Sequence, residues 1–177
     1  MNKLHIPPLD EQAAKTALEH QKILAKPPLA LGKLEPVAIQ IAAMTGNPAP
    51  RLKDKAVVLF AADHHIADHG LSLTSTDVTY IQTRNFLQGG GTINAFTRNA
   101  GARLSVVDVG VNYDFGDLPG LVKRKVMHGA NDFSRGPAMT REQALECLQV
   151  GIDMAREEKA RGLDIVAAGE MGIGNTT

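Results

Sequence analysis

Three short apolar runs limit what this chain can fold into. They are Ala56-Val57-Val58-Leu59-Phe60-Ala61-Ala62, Leu104-Ser105-Val106-Val107-Asp108-Val109-Gly110-Val111 and Asp164-Ile165-Val166-Ala167-Ala168. Each lacks the polar alternation of a strand with one wet face, so each reads as a buried strand covered on both faces. Helical patterns lie between them. One runs from about Asp77 to Leu87, and another from Thr92 to Asn99, closed by Gly101. The clearest starts at Thr140, where Thr140 and Gln143 make a capping box, Ala144, Leu148, Ile152 and Ala155 share a face, and Glu157 pairs with Arg161. Strands alternating with helices form βαβ units with parallel strands, and ligands bind beyond the strands' common C-terminal ends. Those ends carry Asp63 and His64, the flank of Asp108, and Glu170.

Two helices precede the first run. Residues 10 to 25 place Ala14, Ala17, Leu18, Gln21, Leu24 and Ala25 on one face, with Asp10 as cap and Pro27-Pro28 as terminator. The second fits Leu34 to Met44, with Pro36 in its first turn and Gly46-Asn47-Pro48 at its end. The segment from Pro48 to Pro50 is the linker candidate, which divides the chain into a helical segment, 1–47, and an α/β domain, 48–177. The stretch from Asn112 to Pro137 is a long loop, with a short strand within Leu121 to His128, and loops of that length invite a functional reading.

Composition narrows the ligand class. Lys plus Arg equals Asp plus Glu at 19 each, so no overall field draws in nucleic acid or an anionic membrane, and small-molecule chemistry is favoured. The N-terminus lacks the apolar run of a signal peptide and no stretch nears the roughly 18 apolar residues of a membrane span, so the expected location is cytoplasmic. Cys147 is the single cysteine. It falls inside a helical pattern, where a small buried side chain explains it better than a nucleophile does.

The densest motif is Gly169-Glu170-Met171-Gly172-Ile173-Gly174-Asn175-Thr176-Thr177, a strand-to-helix loop. Its glycines let the backbone approach a ligand closely, and Asn175 to Thr177 look like a helix opening whose N–H groups would face an anion. Such a nest binds phosphate without a lysine, a metal or a cofactor. Glu170 inside it suits a ribose hydroxyl or a developing positive charge, or else caps a helix. The second dense stretch, Phe60 to Gly70, places Asp63, His64, His65, Asp68 and His69 close together. It resembles the Asp-His-His signature of metal phosphoesterases, but residues 1 to 55 lack the upstream His and clustered Asp that a two-metal site needs. Gly89-Gly90-Gly91-Thr92 is a weak signal, and Arg156 to Lys159 is a solvated helix face.

Taken in order, Lys26 to Glu35, Phe60 to Ser72, Asn85 to Asn94, Val107 to Val111, Pro137 to Thr140 and Gly169 to Thr177 resemble the nicotinate-nucleotide–dimethylbenzimidazole phosphoribosyltransferase family along nearly the whole chain. The resemblance implies an α/β fold, with a Rossmann-like, mostly parallel sheet, flanking helices and a small N-terminal helical subdomain. It implies transfer of phosphoribose from nicotinate mononucleotide to 5,6-dimethylbenzimidazole, giving α-ribazole 5′-phosphate and nicotinate, and a homodimer. Gly172, Ile173, Gly174, Asn175 and Thr176 would hold the ribose phosphate. Glu170 would stabilise the oxocarbenium character left by the departing cationic nicotinate ring, as a secondary carboxylate. Ser72, Tyr80 and Met171 would line the acceptor-base pocket, with Asp63, His64 and Asn94 as further site residues. Four positions depart from the family: His65 where it has Gly, Tyr80 where it has glutamine, and Leu29-Ala30 where it has Gly-Ser. Family members continue well past the Asn-Thr-Thr block and carry their general-base glutamate there, and no residue of this chain fits that role. The 177 residues alone are therefore expected to turn over poorly, as a truncated chain or, alternatively, as a short non-catalytic nucleotide-binding paralogue.

Overall fold

The computed structural model describes residues 5–176. Residues 1 to 4 of the N-terminus, and Thr177 of the loop motif, lie outside the described residues. The chain divides into two compact units, residues 2–52 and 53–177.

In the first unit, helices α1 (Glu11–Ile23) and α2 (Leu34–Thr45) pair with each other. Asp10 caps α1 by accepting the Ala13 N–H at 2.8 Å, and Gly46 ends α2 in the left-handed conformation (φ 64°) that glycine takes without strain. The face of α1 that is buried carries Ala13 and Ala17, whereas Leu18 and Leu24 are exposed, so the apolar stripe sits one residue earlier than the pattern implied. Glu35, buried in the first turn of α2, is held by Lys26 at 2.7 Å and by the Leu31 N–H at 3.2 Å.

The second unit is a parallel four-stranded sheet with flanking helices, in the order β3-β2-β1-β4. Its elements are β1 (Lys55–Ala62), α3 (Val78–Leu87), α4 (Thr92–Ala100), β2 (Ala102–Gly110), β3 (Leu121–Lys123), α5 (Arg141–Ala160) and β4 (Ile165–Met171). Alternation along β1 sends successive side chains to opposite faces. Val58 and Val107 meet Val150 and Met154 of α5 on one face, and Leu59 and Val106 meet Phe86, Leu87 and Ile93 of α3 and α4 on the other.

Four expectations change. β4 is not buried: it sits at the sheet edge beside β1, with Ile165 45% and Val166 46% exposed, and an apolar run alone does not reveal which strand is central. It also extends through Gly169, Glu170 and Met171, which pair in register with Leu59, Phe60 and Ala61, so these three residues are strand and not loop. The buried face of α5 carries Val150, Met154 and Glu158, while Leu148 and Ala155 are exposed. Lastly, Glu157 bonds to Arg124 at 2.8 Å, and Arg161 turns to Glu158 at 3.2 Å. The Thr140–Gln143 capping box is present in both directions, at 2.8 and 3.2 Å.

Glu158 explains why the face was misjudged, since a charged residue was not counted as core. It is fully buried and accepts from Ser105 Oγ at 2.7 Å, Arg103 Nη2 at 3.1 Å and Arg161 Nη1 at 3.2 Å, locking α5 to β2. Burial pushes its carboxyl up, but the hydrogen bonds from Ser105 and Arg103 and the charge of Arg161 outweigh it, so it titrates below the ordinary range. Both arginines are partly exposed, which screens the pairing. Glu158→Ala is expected to cost about 3 kcal/mol by leaving these donors unpaired beside a void. Urea unfolding measures it, and Glu158→Gln should recover part of the loss.

Candidate active site at the ends of the parallel strands

β1 is the strand from which the chain order departs in both directions, to β2 on one side and β4 on the other. The crevice outside such a switch point is where open α/β sheets place ligands. Here it brings together Asp63 and His64 after β1 with Glu170 and the Gly172 turn at the end of β4.

Asp63 is anchored through its backbone and one carboxylate oxygen. Its N–H donates to Gly110 O at 3.0 Å, its carbonyl accepts the Ala130 N–H at 2.8 Å, and its Oδ2 accepts the Asn112 N–H at 2.7 Å. His64 follows, half-buried, facing an apolar cavity of about 350 Å³ whose walls include Phe60, Val109, Met127, Met139 and Cys147. Desolvation holds its imidazole below the ordinary histidine range, against the opposing pull of the Asp63 and Glu170 carboxylates. Burial likewise pushes the Cys147 thiol up, which suits an inert side chain.

The loop after β4 is pressed onto this histidine. A Cβ on Gly172 would stand 2.1 Å from Ala62 O and 3.0 Å from the His64 ring, so only glycine fits there without displacing the loop. Gly174 takes φ 86° against Ala67. Residues 173–176 form a turn, closed by the Asn175 N–H donating to Gly172 O at 3.2 Å. The Ile173 N–H donates to Thr79 Oγ1 at 3.2 Å. The expected helix opening is thus a turn over the described residues, and the Asn175 N–H assigned to an anion already has a partner. Thr79, fully buried in α3, was missed from sequence. A buried threonine in a helix carries no signal of the loop it will hold.

The structure does not gather the expected acceptor-pocket residues into one cavity. Met171 lines a cavity of about 530 Å³ with Val78, Gln82, Phe86, Ile93 and Ile173, and Glu170, itself exposed, borders it. Tyr80 points elsewhere, into a separate cavity with Asp63 and Asp77, and stacks on Tyr113. Ser72 shares a hydrogen bond with Thr74 at 2.9 Å. Asn94 is buried and internally satisfied: Oδ1 accepts the Gly91 N–H at 2.9 Å and Nδ2 donates to Phe86 O at 2.8 Å, which holds the Gly89–Gly91 turn against α4. Of the remaining histidines, His65 faces Asp68 and His128 O at 3.3 Å, and His69 contacts Asp132 at 2.7 Å. Among the described residues no three His, Cys, Asp or Glu side chains converge as metal ligands.

A phosphoribosyltransferase family model matches residues 6–177. The chain belongs to this phosphoribosyltransferase family. The nicotinate-nucleotide–dimethylbenzimidazole phosphoribosyltransferase of Geobacter sulfurreducens is 48% identical over 170 residues, covering 96% of this chain and 48% of that protein. That of Chloroflexus aggregans is 47% identical over 173 residues, 98% of this chain and 49% of its own. The crystal structure of the Thermus thermophilus enzyme of the same name superposes with a TM-score of 0.91 at 44% identity, over 95% of this chain and 51% of that one. The chain spans about half the length of the curated relatives it matches.

Gly172→Ala should lower stability by about 1–3 kcal/mol through overpacking against Ala62 O, read as a fall in Tm. The His64 ring should titrate by NMR with a midpoint below the ordinary value of about 6.5. Because its folded value is the lowered one, the stability it contributes is complete above that ordinary value and is lost as pH falls through the folded midpoint. His64→Phe should flatten that limb of the stability–pH curve.

Proposed function

We propose that this chain carries the switch-point part of an enzyme that transfers phosphoribose from nicotinate mononucleotide to 5,6-dimethylbenzimidazole, with α-ribazole 5′-phosphate and nicotinate as products, in the synthesis of the lower ligand of cobalamin. The observation that carries this proposal is the pairing of β1 with β4, which sets Glu170 and the Gly172–Thr176 turn beside His64, in a chain whose relatives bear that enzyme's name. Gly172, Ile173, Gly174, Asn175 and Thr176 cradle the ribose phosphate by close backbone approach. Glu170, exposed at the strand end, stabilises positive charge that grows on the ribose as the pyridinium nitrogen takes back its bonding electrons. The acceptor ring enters the cavity lined by Met171, Val78 and Ile93.

The order β3-β2-β1-β4 supports a Rossmann-like description, with residues 48–177 as part of a nucleotide-binding domain and 1–47 as a helical segment. No described helix is long and apolar enough to cross a membrane. A homodimer in the cytoplasm completes the proposal.

Calorimetric titration with nicotinate mononucleotide should show saturable binding that Gly172→Val abolishes and His69→Ala preserves. In a chain of the relatives' full length, Glu170→Gln should slow formation of α-ribazole 5′-phosphate about 100-fold. A protein of that length that neither binds the nucleotide nor forms the product would overturn the proposal.

A further inference from the structure

At the C-terminal end of β1, a buried carboxylate oxygen has no hydrogen-bond partner among the described residues. Asp63 is only 7% exposed. Its Oδ2 accepts the Asn112 N–H, but its Oδ1, removed from solvent, has no hydrogen-bond partner among the described residues. Leaving a buried charged acceptor unsatisfied is costly, and native structures keep such groups where something else completes them. Asp63 lines a cavity of about 150 Å³ together with His64, His65, Asp68, Thr76, Asp77 and Tyr80; His65 faces Asp68 at 3.3 Å, which leaves Asp63 and Asp77 as the free acids, and no lysine or arginine is among the described walls. Lys125, whose backbone partners flank Asn112, is committed elsewhere, to Asp108 at 3.1 Å and to the carbonyls of Val111 and Tyr113.

One wall is a rigid aromatic face. The Tyr80 ring stacks on Tyr113 with centroids 4.3 Å apart and planes 11° from parallel, and Tyr113 meets Phe115 edge-on at 5.1 Å. Because Lys125 grips the backbone carbonyl of Tyr113, the stack is fixed from behind. A ring face beside carboxylates favours a cation, and an unpartnered buried acceptor favours an N–H donor. The carboxylates do not converge on one point as a bare metal ion requires. We infer that this cavity binds a small planar cation of the guanidinium or amidinium class, with its N–H groups on Asp63 Oδ1 and its face against Tyr80. This goes beyond phosphoribosyl transfer and does not depend on it.

NMR titration of this chain with methylguanidinium, tetramethylammonium, methylurea and MgCl₂, at matched ionic strength, tests the inference. Methylguanidinium should shift the Asn112 amide and the Tyr80 ring saturably, with affinity at least tenfold above that of tetramethylammonium, which lacks N–H, and of methylurea, which lacks charge. Asp63→Asn should weaken it at least tenfold. Tyr113→Ala and Asp77→Asn, which leave Asp63 in place, should each weaken it about threefold and keep a readout available if the Asp63 variant does not fold. No saturable shift, unchanged affinity in these variants, or saturation of the same signals by Mg²⁺ in place of methylguanidinium would overturn the site. Binding of nicotinate mononucleotide, measured in parallel, reports separately on the phosphoribosyl proposal.

Discussion

The contact on which the site depends is the approach of Gly172 to the carbonyl of Ala62. Parallel pairing of β1 with β4 brings the two strand ends level, and the chain leaving β4 must then pass within van der Waals reach of the chain leaving β1. A methyl group at residue 172 would abolish that passage. With hydrogen in its place, His64 can lie against the turn, Thr79 can receive the Ile173 N–H, and Glu170 projects from the last strand residues beside both. The geometry is set sterically, by backbone meeting backbone.

Backbone-determined features were the ones legible in the sequence. Three apolar runs announced parallel strands, Asp10 and Thr140 announced helix starts, and Gly46 and Gly101 announced helix ends. The Gly-Glu-Met-Gly-Ile-Gly-Asn-Thr-Thr block pointed to the strand end where the turn lies. Features that depend on tertiary partners were not legible. Glu158 looked like a solvated charge because two of its three donors come from β2 and the third from the residue that ends its own helix. Tyr80 looked like part of the Met171 pocket because the helical position of α3, not its composition, decides which cavity each residue faces. β4 looked buried because apolar composition records that a strand is meant to be covered and says nothing of what covers it.

Charge in this molecule balances to zero overall and is arranged in local pairs. Glu158 ties α5 to the sheet, Lys125 pairs with Asp108 and holds the 111–113 backbone, and Asp164 accepts the Lys53 and Asp54 N–H groups at 2.7 and 2.9 Å ahead of β4. The last two sit where a strand end meets a loop. The cavity at Asp63 is the exception, since the buried Asp63 Oδ1 is not answered from within the described chain.

The place of β4 has a kinetic consequence. Its partner strand lies 110 residues earlier in the chain, whereas β1 and β2 are separated by only the α3–α4 segment. Pairing that spans such a distance must first overcome the entropy of closing a long loop, so local βαβ units form early and the β1–β4 ladder late. The turn after β4 rides on that last-formed ladder, at an edge where unpaired backbone exchanges most freely with water. Folding order and ligand access are therefore coupled: the segment proposed to recognise the substrate is carried by the described strand whose pairing spans the most chain.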